Sequence, residues 1–213
     1  MWIQPAVIEK KAYFSAQVLR QMAVPLLQSP YLQQNVLNQR FETTQGFSLL
    51  LADLSLLPEA FQFLRPYLQT LDPRCNYFYL NVLRLDASAK VDRHIDHSVR
   101  GYHAQLPFPR RVSVLYLQAD ALEGGELQFY DRQDRVFRQI KPQTGTWVSF
   151  KGRLKHGITP VVRCEQPRLS LVCEQYRLRA AQRAYLPEVT LKSSARFDAF
   201  LSEALPETQV NTL

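Results

Sequence analysis

The sequence predicts a mainly β domain, an antiparallel sandwich or barrel, with supporting helices at its amino-terminal end. Two observations carry that prediction. From residue 76 the chain breaks into short segments rich in β-branched and aromatic residues: "NYFYLNVLRL", "RVSVLYLQ", "GELQFYD", "RVFRQIKP", "GTWVSF", "HGITPVV" and "RLSLVCEQYRL". Turn signals separate them, among them "EGG", "RQD", "PQTG" and "CEQP". Strands this short and this closely spaced fit an antiparallel sandwich or barrel and not a βαβ repeat.

The amino-terminal elements follow from a different period. "PAVIEKKAYFSAQVLRQMAVPLL" has apolar residues at helical spacing from Val7 and Ile8 to Leu19 and Met22, with Pro25 ending the pattern. "PEAFQFLRPYLQTL" is a second helical candidate, with Pro58 suited to a first turn and Pro66 to a kink. Between them "RFETTQGFSLLLADLSLL" fits strand and helix equally. The expected organisation is one domain over residues 1–178, with a helical part at 1–75 and a strand-rich core at 76–178. Residues 179–213 then form a carboxy-terminal extension, basic and then acidic, with one short amphipathic candidate in "ARFDAFLSEAL".

Composition narrows the class. At 213 residues and 46% hydrophobic content the chain has ample material for a packed core. No apolar run reaches bilayer length, and "MWIQPAVIEKKAYFSAQV" lacks a basic start leading into an apolar signal core. The expectation is a soluble, cytoplasmic protein without a membrane partner. Cys75, Cys164 and Cys173 are an odd, scattered set without CxxC spacing, which argues against a disulfide framework or zinc ribbon. Net charge is +7, and residues 90–168 hold fourteen Lys/Arg against eight Asp/Glu. That excess fits a field for anionic small molecules, a nucleic-acid surface or a solvated basic face.

The chain has four histidines, and two of them fall in "VDRHIDHSV". In an extended segment His94 and Asp96, two apart, point to one face, while His97 points to the other. One imidazole and one carboxylate on a face can share a metal ion. His156, in "LKHGITPVV", is the candidate third ligand if its strand packs alongside. Two histidines and a carboxylate on one octahedral face leave three positions open, as non-haem Fe(II) oxygenases require. His103 has no partner at useful spacing. Twelve and fourteen residues past His156, "RLSLV" puts Arg168 and Ser170 on one strand face. A guanidinium and a hydroxyl there suit a carboxylate clamp. The alternative is a buried ion pair with Glu174 on the same face.

In this order "HID", "RVSVLYLQ", "EGGELQFY", "IKPQTGTWVSF", "HGITPV" and "RLSLVCEQY" resemble the Fe(II)/2-oxoglutarate-dependent dioxygenases of the prolyl 4-hydroxylase-like kind. The resemblance covers about residues 76–177. It implies a double-stranded β-helix (jelly-roll) core, with the amino-terminal helices supporting one sheet. It also implies His94, Asp96 and His156 as iron ligands, and Arg168, helped by Ser170, as the partner of the distal carboxylate of 2-oxoglutarate. Tyr116 falls where the family often places a tyrosine on the same cosubstrate; apolar packing with Val112 and Val114 is the other reading. The implied cofactors are Fe(II), 2-oxoglutarate and O₂, with ascorbate as a candidate reductant. The implied reaction is hydroxylation of an unactivated C–H with release of succinate and CO₂.

The rivals differ in what they need. Halogenating relatives replace the carboxylate ligand, whereas Asp96 is present. Nucleic-acid demethylases carry a second arginine six residues after the first; here that position is Glu174, which argues against a nucleic-acid substrate. A non-catalytic cupin-like metal-binding or sensing module is the alternative from another class. The expected partner is a small-molecule or peptide substrate, and oligomeric state is left open. "HSVRGYHAQLPFPR", residues 97–110, reads as a lid or substrate selector. Tyr79 and Asn81 share a strand face and are expected near the pocket.

Overall fold

Alternation along single strands decides how the layers stack. In "RLSLVCEQY" the residues Leu169, Leu171 and Cys173 are apolar on one side, while Arg168, Ser170 and Glu174 occupy the other. The computed structural model describes residues 6–34 and 43–194. In chain order it contains β1 (Val7–Lys10), α1 (Ala16–Leu27), β2 (Gln33–Gln34), β3 (Gln45–Leu51), α2 (Arg65–Leu68), β4 (Tyr77–Leu85) and β5 (Val91–His94). There follow β6 (Arg111–Gln118), β7 (Leu122–Gly124), β8 (Leu127–Tyr130), β9 (Val136–Ile140) and β10 (Trp147–Lys151). The chain continues with β11 (His156–Ile158), β12 (Val161–Cys164), β13 (Arg168–Tyr176), α3 (Ala180–Arg183) and β14 (Val189–Lys192).

Eight strands form one antiparallel sheet in the order β1-β10-β6-β13-β4-β3-β14, with β2 pairing β3. Four more form the order β5-β11-β8-β9, and β12 pairs β7. The outer face of the large sheet presents Leu80, Val82, Leu115, Leu117, Leu169 and Leu171 to Leu19, Met22 and Leu26 of α1 and to Leu64 and Tyr67. Full burial of each such aliphatic side chain stabilises by about 1.5–3 kcal/mol. The inner face packs Val112, Val114, Tyr116, Val148 and Phe150 against Leu127, Phe129 and Ile140 of the smaller sheet. The result is the expected jelly-roll sandwich, supported on one sheet by amino-terminal helices.

The amino-terminal portion corrects the sequence reading at both helical candidates. The helix expected from Val7 begins only at Ala16, where Ser15 caps it by accepting from the Val18 N–H. Val7–Lys10 instead form β1, paired antiparallel with β10 from Val7↔Phe150 to Lys10↔Trp147. β-Branched Val7 and Ile8 complete a sheet edge, a gain that local helical spacing does not reveal. Pro25 does not stop α1, which runs to Leu27, because a proline this close to the end disturbs only the last turn. The ambiguous stretch yields strand β3, paired with β4 from Gln45↔Arg84 to Leu51↔Phe78. "EAFQFL" is a 3-10 helix that passes into the short α2 at Arg65, with Pro66 in the first turn of α2.

At the other end, β14 pairs with β3, and Leu191 is fully buried in the outer cluster. The amphipathic candidate at 195–205 lies outside the described residues. No helix among them is long and apolar enough to cross a membrane.

Candidate metal centre

β5 ends at His94 and β11 begins at His156, and the two residues are direct cross-strand partners. Their rings stand 4.5 Å apart between centroids. Asp96 follows β5 by two residues, so the chain turns its carboxylate between the imidazoles. Asp96 Oδ1 lies 3.2 Å from His94 Nε2, and Oδ2 lies 3.4 Å from His156 Nε2. All three ligand atoms fall within 4.8 Å of one another, close enough to hold one metal ion.

The second nitrogen of each ring fixes which nitrogen is free. His94 Nδ1 lies 2.7 Å from the Asp92 carbonyl oxygen, and His156 Nδ1 lies 2.9 Å from that of Leu154. A carbonyl only accepts, so each Nδ1 carries the proton and each Nε2 presents its lone pair to the centre. Burial pushes the His156 imidazolium down, with the Asp96 charge opposing it, which favours the neutral, ligating form. Burial alone would raise Asp96, but the positive charge that His156 and His94 carry when protonated holds it below its ordinary range, so this carboxylate faces either protons or a metal ion at the two Nε2 positions. Asp96 Oδ2 accepts no hydrogen bond. A buried ionised carboxylate between two lone pairs is costly by itself and well matched to a cation. Phe150 and Phe129 wall the His156 ring at 4.8 and 6.4 Å.

Those phenylalanines share their apolar cluster with Tyr116, which leads to a second polar group in the same interior. Arg168 is 1% exposed, and no carboxylate pairs with it among the described residues. Its Nε and Nη1 have no hydrogen-bond partner, and neither does the Tyr116 hydroxyl. The guanidinium lies over the Tyr116 ring, 4.9 Å from the centroid. Ser170, fully buried, stands opposite Tyr116 in the ladder and makes only a 3.4 Å bond to the Leu83 carbonyl. Burial pushes Arg168 down, opposed by Tyr116 and Glu126. Glu126 itself is engaged by the Thr159 hydroxyl at 2.5 Å. These are donors arranged for an anion, and a carboxylate fits them.

The ion pair between Arg168 and Glu174 considered from the sequence does not form. Glu174 accepts from the Ser98 N–H at 3.0 Å, from the Ser98 hydroxyl and from the Tyr176 hydroxyl. It thereby ties the segment after Asp96 to β13, a role that strand parity alone did not reveal. Burial and the nearby Asp96 charge push its carboxyl up to about 8. Asn81 accepts from the Ser48 hydroxyl, and Tyr79 packs with Val99 and Tyr176. His97 stays outside the triad and meets the Phe108 ring at 6.4 Å; His103 stacks on Tyr185 at 4.0 Å.

Residues 80–173 match the family model of the 2OG-Fe(II) oxygenase superfamily. A prolyl-4-hydroxylase from Pseudomonas putida superposes with a TM-score of 0.61 at 18% identity, covering 82% of this chain and 94% of its own. A prolyl hydroxylase from Trichoplax adhaerens, solved with a hypoxia inducible factor oxygen degradation domain peptide fragment, gives 0.60 at 15% identity, covering 85% and 87%. A 2OG-Fe(II) oxygenase family oxidoreductase from Burkholderia pseudomallei gives 0.59 at 16% identity, covering 81% and 86%. No curated protein matches the sequence. The match falls on the strand-rich part of the chain, where the motifs carry the resemblance, and the superpositions show that the fold is shared with these oxygenases.

Proposed function

We propose that the chain is an Fe(II)- and 2-oxoglutarate-dependent oxygenase that hydroxylates an unactivated C–H of a small molecule or peptidyl side chain. One observation carries the reading: a His/Asp/His cradle shares its interior with a fully buried arginine that forms no ion pair among the described residues. On this reading His94, Asp96 and His156 hold the iron through Nε2, a carboxylate oxygen and Nε2. Arg168 grips the distal carboxylate of 2-oxoglutarate, with Ser170 and Tyr116 offering their hydroxyls. Iron and 2-oxoglutarate supply the oxidising power: one oxygen atom of O₂ enters succinate, the other enters the substrate, and CO₂ leaves. The residues supply position, charge and shielding. Phe129 and Phe150 keep water from the His156 side, and the Asp92 and Leu154 carbonyls hold both rings in the ligating tautomer.

Anaerobic calorimetry with Mn(II) tests the reading. Wild type should bind about one equivalent, the number a single three-ligand site takes. His94→Ala and His156→Ala should each abolish binding, and His97→Ala should leave it nearly unchanged. Undiminished affinity in either of the first two variants sinks the assignment. Release of succinate from 2-oxoglutarate by the iron-loaded protein distinguishes an oxygenase from a metal-binding module without turnover.

A further inference from the structure

The two chain segments that adjoin the metal ligands also build a cationic groove. Residues 97–110 start beside Asp96, and residues 151–155 end beside His156. Between the far ends of these segments lies a groove of about 350 Å³ that includes Arg74, Arg110, Arg111, Lys151 and Arg153 in its lining. A second hollow of about 250 Å³ shares Arg74 and Arg111 with it and adds the apolar surfaces of Ile8, Leu71, Pro73 and Trp147. Among the described residues Asp72 is the sole carboxylate lining either, and it is already held by Arg74 at 2.8 Å and Arg110 at 3.2 Å.

The groove is preformed. Gly152 N–H donates to the Arg110 carbonyl, and a Cβ at Gly152 would sit 2.0 Å from the Pro109 carbonyl oxygen. The close approach of the two walls therefore needs glycine. A row of cations and rings leads back toward the metal: the guanidiniums of Arg153 and Arg100 lie over Phe108 at 4.7 and 4.8 Å, and His97 meets the same ring.

We propose that this groove binds an acidic stretch of a polypeptide substrate, whose neighbouring residue then reaches the metal centre. The inference rests on the oxygenase reading and names its substrate class. Fixed guanidiniums favour carboxylates, and the adjoining apolar hollow takes one uncharged side chain of such a chain. A single-stranded nucleic acid would need aromatic faces to stack on. Phe108 is already covered by guanidiniums, and Trp147 is stacked on Tyr13 at 5.4 Å.

Fluorescence anisotropy on the full chain tests this, with and without Mn(II) and 2-oxoglutarate. The probe is a labelled peptide of about twelve residues alternating Glu and Ser, roughly 40 Å when extended. Matched Gln/Ser and Lys/Ser peptides and an oligothymidylate of equal charge are the comparisons. The Glu peptide should bind about tenfold or more tightly than the others, and its affinity should fall with salt. Lys151→Glu with Arg153→Glu, both at exposed positions, should cost about tenfold while Mn(II) and 2-oxoglutarate titrations stay as in wild type. The corresponding Gln pair should cost less. Equal binding of the Glu and Gln peptides, tighter binding of the oligothymidylate, or no loss in the charge-reversed protein would each overturn the proposal. A failed Mn(II) titration sinks the oxygenase reading alone, since the peptide is also measured on the metal-free chain.

Discussion

Arg168 and Glu174 leave the same face of β13, six residues or roughly 20 Å apart, and each is 1% exposed. Around Glu174 the donors are in place: Ser98 donates twice and Tyr176 once. Around Arg168 two of the guanidinium nitrogens have no hydrogen-bond partner, and among the described residues no carboxylate forms an ion pair with it. Burying an ionised group without a partner is among the costliest things a fold can do. The contrast teaches where the polar groups of this strand are satisfied within the fold and where they are not. One end of the strand is a closed polar network that fixes the metal-bearing loop. The other end leaves buried donors unused, and on the proposed reading the distal carboxylate of 2-oxoglutarate takes them up.

The largest expected effect tests the closed end. Glu174→Ala leaves the Ser98 N–H and hydroxyl and the Tyr176 hydroxyl without their acceptor, at about 1–3 kcal/mol for each donor left buried. Some will find water, so the metal-free protein should lose about 2–4 kcal/mol by chemical denaturation. Glu174→Gln, which keeps an acceptor, should restore most of it. An alanine variant as stable as wild type would show that the network does not hold the loop.

Arg168→Gln tests the open end and should give the opposite pattern. Affinity for 2-oxoglutarate should fall by about 1.5–3 kcal/mol, roughly ten- to hundredfold, as for a lost charge-assisted bond. Metal-free stability should hold or rise, because an unpaired buried charge is removed. Melting curves with Mn(II), with and without 2-oxoglutarate, separate the two effects. A large drop in the metal-free protein with 2-oxoglutarate affinity preserved would defeat the clamp.

The closed end also has a pH signature. The Glu174 carboxyl is raised from an ordinary 4.5 to about 8. Below the ordinary value both folded and unfolded states are protonated, and its contribution to stability is fully present. As pH rises through that window the unfolded state ionises first, so the contribution is lost, by up to about 1.4 kcal/mol per pH unit. Metal-free wild type should therefore lose stability between pH 5 and 8 more steeply than Glu174→Gln. Parallel pH profiles for the two proteins would contradict the raised value.

What could be read from the sequence follows the range of each interaction. A period of two puts Arg168 with Ser170 and relates His94 to Asp96, and the strand core from β4 to β13 emerges from turn chemistry and β-branched runs. Their meeting partners are another matter. Ser98 reaches Glu174 across 76 residues, and Val7 finds Phe150 only in the folded sheet. Neither pairing leaves a local mark, so β1 hides inside a helical spacing and Glu174 passes for a spare ion-pair partner. The strand β14 is hidden for the same reason: its register is set by Leu49–Leu51 of β3, far back in the chain.

The smallest expected effect concerns how the open rim is held. Two contacts clasp residues 97–110 from the carboxy-terminal side: His103 stacks on Tyr185 at 4.0 Å, and Lys192 Nζ lies over Tyr102 at 4.2 Å. Tyr185 is 53% exposed, so its ring adds little burial and its contribution is chiefly this contact. An aromatic pair of this kind contributes about 0.5–1.5 kcal/mol. In Tyr185→Ala, local opening of the loop should therefore become roughly two- to tenfold more frequent, read as faster amide exchange at Tyr102 and Leu106. Mn(II) and 2-oxoglutarate affinities should stay unchanged, because the triad and the Arg168 cluster do not touch Tyr185. Unchanged exchange at those amides would show that Glu174, Lys192 and the 3-10 turn at Ser98–Gly101 hold the loop without Tyr185. A change in 2-oxoglutarate affinity would show instead that the rim and the open end of β13 act as one unit.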